Sequence, residues 1–405
     1  MAVVFFLPWV AATEELRIAD MRLIPYERGR LPGELLGIPQ AAFDGVLGNY
    51  GDRGIGSHPA QPIDEAALII WDEDTPRLDA SDAKIQERLV QGSYLAFSAL
   101  AQRKFCSTSE YYNADTLQVV AQRFDVGTPA RSCMTTRRRD GNTQNMLAGS
   151  GGLKFVRPYH VDNRTRISLD APLLVALLKL PDGELKERID EAIVSYLRAN
   201  TDASSMDERS ELILMRVAID TLLVVPHDKA AFRRAINEHF DELPNSPTWY
   251  KGNLDESWWC KHWDNNVSRP LDAWVHDFSA ARNAAAHSPG TGHKGSIWSR
   301  HNHLIFSAWL LPLIIKKLLV QARLYEFTDE DKVARAGFEV FLAHDLLEFT
   351  DEHENKVWWQ IAESELFRPL FAEQLRRACE GRSKGVAELI QSGLPRRIKW
   401  GGELQ

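Results

Sequence analysis

Cysteine is scarce in this chain. Cys106, Cys133, Cys260 and Cys379 are scattered over 405 positions without a CxxC pair, which excludes a zinc knuckle or a disulfide framework and reads as a reducing, cytoplasmic setting. Positive charge is not in surplus either. The formal net charge of -8 argues against a general nucleic-acid coat, which needs a broad excess of Lys and Arg to release phosphate counterions, while a small, locally basic RNA site stays compatible with it. No apolar run reads as a membrane span: "LIFSAWLLPLIIKKLLV" (304–320) offers twelve apolar or small residues before Lys316 and Lys317, against about 20 needed. The opening "MAVVFFLPWVAATEE" has no Lys or Arg ahead of its apolar run, is broken by Pro8 and Trp9, and meets Glu14 and Glu15 at once; it reads as a buried first strand rather than a signal peptide. Internal repeats and low-complexity tracts are absent. Neither "GTGHKG" nor "LAGSGGLKF" follows the order of a phosphate-binding loop.

What the chain does have is a change of texture near residue 165. Ahead of it lie short apolar runs bounded by turn residues, "AVVFFLPWV", "AALIIWDED", "TLQVVAQRFDVG" and "GLKFVRPYHV", with one helical stretch, "SDAKIQERLVQGSYLAFSALAQRK"; these read as strands around a helix. Beyond it, "APLLVALLKL", "ELKERIDEAIVSYLRAN", "DERSELILMRVAIDTLLVV" and "DKAAFRRAINEHF" repeat apolar residues at three and four, punctuated by Pro181-Asp182-Gly183 and Pro226. A Trp-rich connection (246–266) precedes "PLDAWVHDFSAARNAAAH", where Pro270 suits a first helical turn. A long apolar helix over 299–321 follows, and 328 to about 391 reads as two more helices. The expected fold class is therefore α+β: a β-rich domain over 1–165, an all-helical domain over 166–325 and a helical extension over 326–405.

The stretch "ARNAAAHSPG" (281–290) sets Arg282, Asn283 and His287 in the last turns of a helix that Pro289 and Gly290 cut off. An Arg followed by His after four to six residues means little alone, since chance supplies roughly three such pairs in a chain with this composition. Five occur: Arg53/His58, Arg233/His239, Arg234/His239, Arg269/His276 and Arg282/His287. Context separates them. The first spans Gly54 and Gly56, Arg269 lies ahead of Pro270, and the Arg233/Arg234/His239 group reads as a solvated helix face. Around Arg282 and His287, a polar residue follows the arginine, Ala284 to Ala286 allow close backbone approach, and Pro289 biases Ser288 out of the helical region so that His287 ends the helix. The plainer reading is a helix end whose dipole favours cations.

"ARNAAAH" at the end of a helix, inside a helical run closed by a long apolar helix, resembles the HEPN superfamily, whose ribonucleases carry an Arg-polar-x-x-x-His motif. The front opening on "VVFFLPW" is similar in layout to the ApeA-like antiphage, abortive-infection branch. The helical resemblance covers roughly residues 170–325. It implies that Arg282, Asn283 and His287 are catalytic, that RNA (transfer RNA among the targets) is cut by its own 2'-OH to leave 2',3'-cyclic phosphate ends, and that a phage-derived trigger acts through the first domain. The residue types suit that chemistry: histidine exchanges protons near neutral pH, and arginine offers a charged planar fork to phosphate oxygens. Neither a metal nor a cofactor is expected. At roughly 100° per residue, Arg282 and His287 diverge by about 140°, so a homodimer with a composite site is implied. The alternative is a non-catalytic protein that dimerises or binds RNA or nucleotide.

Further candidates follow the motif. "GTGHKGSIWSRHNH" adds His293, Lys294, Arg300 and His301 as candidate RNA contacts, either a basic flap or a solvated connection. His301 and His303 match an HNH nuclease only as letters and lack a third ligand at metal spacing. Trp249, Tyr250, Trp258, Trp259 and Trp263 could stack on bases but suit core packing better. "TTRRRDGN" (135–142) is a basic turn at what reads as a hairpin tip.

Overall fold

The computed structural model describes residues 2–12, 14–30, 38–51, 61–74, 82–103, 112–124, 132–137, 143–148, 155–158, 161, 168–225, 229–241, 270–287, 298–344, 350–351 and 356–357. The chain falls into two compact units, Met1–Glu242 with Trp274–Phe327, and Leu243–Ala273 with Thr328–Gln405. The composition boundary at 165 does not coincide with a boundary between them. The fold is α+β, as the texture of the sequence predicts.

The first unit opens on β1 (Ala2–Leu7), β2 (Leu16–Ile18), β3 (Met21–Glu27), α1 (Gln40–Leu47), β4 (Tyr50–Gly51), β5 (Glu65–Trp71), α2 (Asp82–Leu100), β6 (Val120–Phe124), β7 (Ser132–Arg137), β8 (Thr143–Ala148) and β9 (Phe155–Val156). Seven strands form one sheet in the order β2-β3-β5-β1-β6-β7-β8, with every pairing antiparallel; β4 and β9 pair separately and in parallel. β1 and β5 lie in the middle and, apart from Glu65 at the start of β5, are apolar because both faces are covered. Side chains alternate across a strand. Val4, Phe6, Leu68 and Ile70 accordingly join Phe43, Val46 and Leu47 of α1 in one core. On the other face Phe5 meets Trp71 edge-on, centroids 5.2 Å apart, and the Arg88 guanidinium of α2 sits 4.8 Å over the Trp71 ring. Gly92 allows the close approach of Val119 to α2: a Cβ there would lie 3.0 Å from Val119 Cγ2.

The helices that follow are α3 (Ala171–Leu178), α4 (Glu184–Ala199), α5 (Glu208–Leu223), α6 (Lys229–Asp241), α7 (Pro270–His287) and α8 (Arg300–Gln321). Their starts are chemically marked. Asp170, Asp207 and Ser299 accept hydrogen bonds from the backbone N–H of Leu173, Ser210 and Asn302 at 3.0, 2.9 and 3.1 Å, which satisfies donors that a helix end leaves orphaned. Gly183, at φ 152°, makes the turn into α4 in a region that side chains avoid.

α2 packs on the helices as well as on the sheet: Tyr94 Oη donates to Asp190, Phe97 meets Tyr196 edge-on at 5.1 Å, and the buried Arg103 donates to both Asn113 and Asn200. α8 is, by length and composition, the one helix among the described residues that could cross a membrane, and 83% of its apolar window is buried inside the protein. Its Lys316 is buried in an ion pair with Asp170, and the helix runs through the lysine pair as the sequence predicts.

In the second unit α9 (Asp329–His344) starts with a reciprocal cap, Thr328 N–H to Asp331 Oδ2 at 2.9 Å and Asp331 N–H to Thr328 Oγ1 at 3.3 Å. Beyond it, the two-residue strands β10 (Thr350–Asp351) and β11 (Lys356–Val357) pair antiparallel. They stand where a second tail helix is expected from the sequence. Thr350 and Val357, β-branched residues that pair directly across the two strands, suit extended backbone there.

Candidate site at the end of helix 7

α7 begins at Pro270 and ends at His287, with the bounds that the proline and the alanine-rich turn predict. Its inner stripe, Trp274, Asp277, Phe278, Ala281 and Ala285, is buried, at the three- and four-residue spacing of one helix face. Arg282 and Asn283 lie half-buried beside that stripe, and His287 is exposed. The Arg282 Nη1 donates to Asn283 Oδ1 at 3.1 Å. Its Nε is buried and bonds to nothing among the described residues. Arg282 and His287 thus sit on diverging faces of one helix, as their five-residue separation demands.

The neighbour of this turn is α5. Arg209 Nε donates to the Ala285 carbonyl, one of the last four carbonyls that no residue of the helix itself can satisfy. Seven residues on, Arg216 Nη1 donates to Ser279 Oγ at 3.0 Å. The pairs 209–285 and 216–279 run in opposite chain directions, so α5 lies antiparallel to this end of α7, bridged to it by two arginines. Arg216 is held on three sides: its Nε also pairs with Asp220 at 2.8 Å and its guanidinium stacks 3.5 Å over Phe232. Burial, opposed by Asp220 and assisted by the charge of Arg282, lowers its proton affinity from the ordinary arginine range. Arg282 and Arg209 carry no ion pair among the described residues.

On the opposite flank, the fully buried Asp277 accepts the Trp298 N–H at 3.0 Å through Oδ2, and His303 Nε2 lies 3.3 Å from the same oxygen. His303 is enclosed by Trp274, Phe278 and Trp298, ring centroids 5.7–6.4 Å away. The chain therefore leaves α7 at His287 and returns at Trp298 beside Asp277, about 15 Å back along the helix.

The remaining candidates distribute unevenly. Arg300 is half-buried and His301 exposed in the first turn of α8, while His303, two residues on, is buried against Asp277; the helix directs the two histidines to different sides, so they do not form a ligand pair. No group of three His, Cys, Asp or Glu among the described residues could hold a metal ion. His293 and Lys294, the Trp-rich stretch and the tip of the basic turn beyond Arg137 lie outside the described residues, as do Arg53, His58 and Arg269. His239 is half-buried on α6 with Nδ1 2.8 Å from the Ala235 carbonyl, a local contact on an amphipathic helix. Sequence reasoning missed Arg209, Arg216 and Asp277. A charged residue in the apolar stripe of α7 was the available signal for Asp277, and two arginines seven apart on one face of α5 for the others.

At its N-terminal end α5 also carries Glu211, buried near Asp115, Asp202, Asp207 and Glu208. Burial first, then Asp202 and the other acids, pushes its carboxyl up to about 7. An acid whose folded-state affinity for protons exceeds its unfolded one binds more protons when folded between about pH 4.5 and pH 7. Its contribution to stability is therefore present at the acidic end of that window and is lost as pH rises through 7. Glu211→Gln removes the penalty and is expected to stabilise by about 1 kcal/mol at pH 8, after discounting for solvent screening, with no gain at pH 4.5. Thermal melts at the two pH values read the difference.

Comparison with protein-family models, with curated proteins and with solved structures gives no match to this chain.

Proposed function

We propose that the end of α7 is the active site of a metal-independent endoribonuclease of the HEPN type, acting as a homodimer in antiphage defence. The observation that carries the reading is the composition of this one helix end: a half-buried arginine without an ion pair among the described residues, an asparagine oriented by it and an exposed terminal histidine. RNA brings its own nucleophile. One His287 takes the 2'-OH proton as O2' attacks phosphorus, Arg282 balances charge on the phosphorane oxygens, and the P–O5' bond breaks. The His287 of a second copy protonates the departing O5', leaving a 2',3'-cyclic phosphate and a 5'-OH. The diverging faces of Arg282 and His287 on a single helix support the two-copy arrangement.

The test is incubation of the purified chain with total RNA in EDTA, followed by end-specific sequencing. Fragments with 2',3'-cyclic phosphate and 5'-OH ends, produced by a dimer, are the expected result. Intact RNA, or 5'-phosphate ends, would reject the reading in favour of a non-catalytic dimerisation module.

A further inference from the structure

We infer that Arg209 of α5 is a second phosphate-binding arginine of the α7 site; this rests on the ribonuclease reading and deepens it. The difficulty it resolves is electrostatic. His287 ends α7, where aligned peptide dipoles leave roughly half a negative charge on unsatisfied carbonyls. A phosphodiester brought to that histidine meets repulsion from the helix end itself. Arg209 lies at this pole, its Nε satisfying the Ala285 carbonyl. That single bond leaves both terminal nitrogens with no hydrogen-bond partner among the described residues, and the side chain is half-buried rather than free in solvent.

On the side that faces α7 the neighbours of Arg209 are cationic, Arg216 and Arg282. Of the three arginines that α5 and α7 bring together, Arg216 alone forms an ion pair among the described residues, with Asp220. Arg282 is close enough to depress the proton affinity of Arg216, so positive charge gathers on the α7 side of Arg209, while Asp207, Glu208 and Glu211 flank it along α5. Asp207 is the carboxylate that the charge of Arg209 reaches, and it is committed to the N-cap of α5, accepting from Ser210 N–H at 2.9 Å. Arg282 on α7 and Arg209 across from it form two incompletely used guanidinium forks bracketing the last turn, an arrangement suited to the oxygens of a phosphodiester.

The experiment measures binding of a labelled single-stranded RNA oligonucleotide by anisotropy across a salt series, in the full chain carrying His287→Ala so that no cleavage intervenes. Adding Arg209→Gln keeps an N–H donor for the Ala285 carbonyl but removes the charge. It is expected to weaken binding about 10-fold and to flatten the slope of log K against log salt by about 0.7, the value for one phosphate contact on a single strand. Arg209→Lys keeps the charge and is expected to retain the slope. Parent-like affinity and slope in Arg209→Gln would overturn the assignment, as would equal weakening by Gln and Lys with an unchanged slope, which marks a purely structural cap. Cleavage by the unsubstituted chain is scored separately. RNA binding with an Arg209-dependent slope but no cleavage keeps the anion site and rejects the nuclease; cleavage with an Arg209-independent slope does the reverse. Absence of both binding and cleavage rejects both.

Discussion

If the end of α7 is the proposed ribonuclease site, replacing His287 with alanine is expected to lower RNA cleavage about 10³-fold, the usual scale for loss of a proton-transferring side chain, while leaving the fold and the proposed dimer unchanged. The structural ground for the second half is that His287 is exposed, whereas the buried stripe of that helix is supplied by Trp274 through Ala285. Arg282→Ala is expected to act as strongly on the chemistry, and Arg282→Lys to restore little, because an ammonium lacks the fork that would span two phosphate oxygens. Single-turnover kinetics on a defined RNA, with sedimentation to confirm the dimer, make the measurement. Cleavage that survives both alanine substitutions would remove this helix end from the chemistry, and full activity in a monomer would remove the composite site.

Asp277→Ala is expected to have the largest effect on stability, a loss of about 1–3 kcal/mol, the cost of leaving a buried donor unsatisfied when its acceptor is removed. One carboxylate oxygen serves the Trp298 N–H and faces His303, both buried. Alanine leaves these groups desolvated and uncompensated in an aromatic enclosure. Asp277→Asn, which keeps a carbonyl acceptor for Trp298, is expected to lose less. Urea unfolding of Asp277→Ala, His303→Leu and the double variant isolates the coupling between the two side chains. A double variant as unstable as the sum of the singles would show that Asp277 acts through Trp298 alone.

Several elements were legible in the sequence, for definite reasons. β1 and β5 are short uninterrupted apolar runs because both faces of the sheet are covered, and α7 announces itself by Pro270 at its start and the alanine turn at its end. β3 was not legible: Pro25 lies inside its run, a residue that ordinarily argues against a paired strand, yet it sits opposite Ala67 in register. α1 is short, with Asp44 and Gly45 in its middle, and takes its stability from Phe43, Val46 and Leu47 in the core rather than from helix propensity. β7 and β8 carry Thr, Gln and Asn in place of an apolar alternation. At the site, the motif residues could be read because they are local. Arg209 meets Ala285 across 76 positions, a proximity created only by the packing of α5.

α2 has a further meaning for how the chain could be divided. One end of its length rests on the sheet through Arg88 and Trp71, and the other is fastened to α4 and the residues after it through Tyr94, Phe97 and Arg103. A fragment starting at 166 would keep the α7 site yet remove Phe97 from Tyr196 and Arg103 from Asn200, baring a surface that α2 and the residues after it cover. Excising the front is then not a clean removal of one part: any activity lost in such a fragment would report a damaged bundle, and a role for the sheet is better probed with point changes that leave α2 in place.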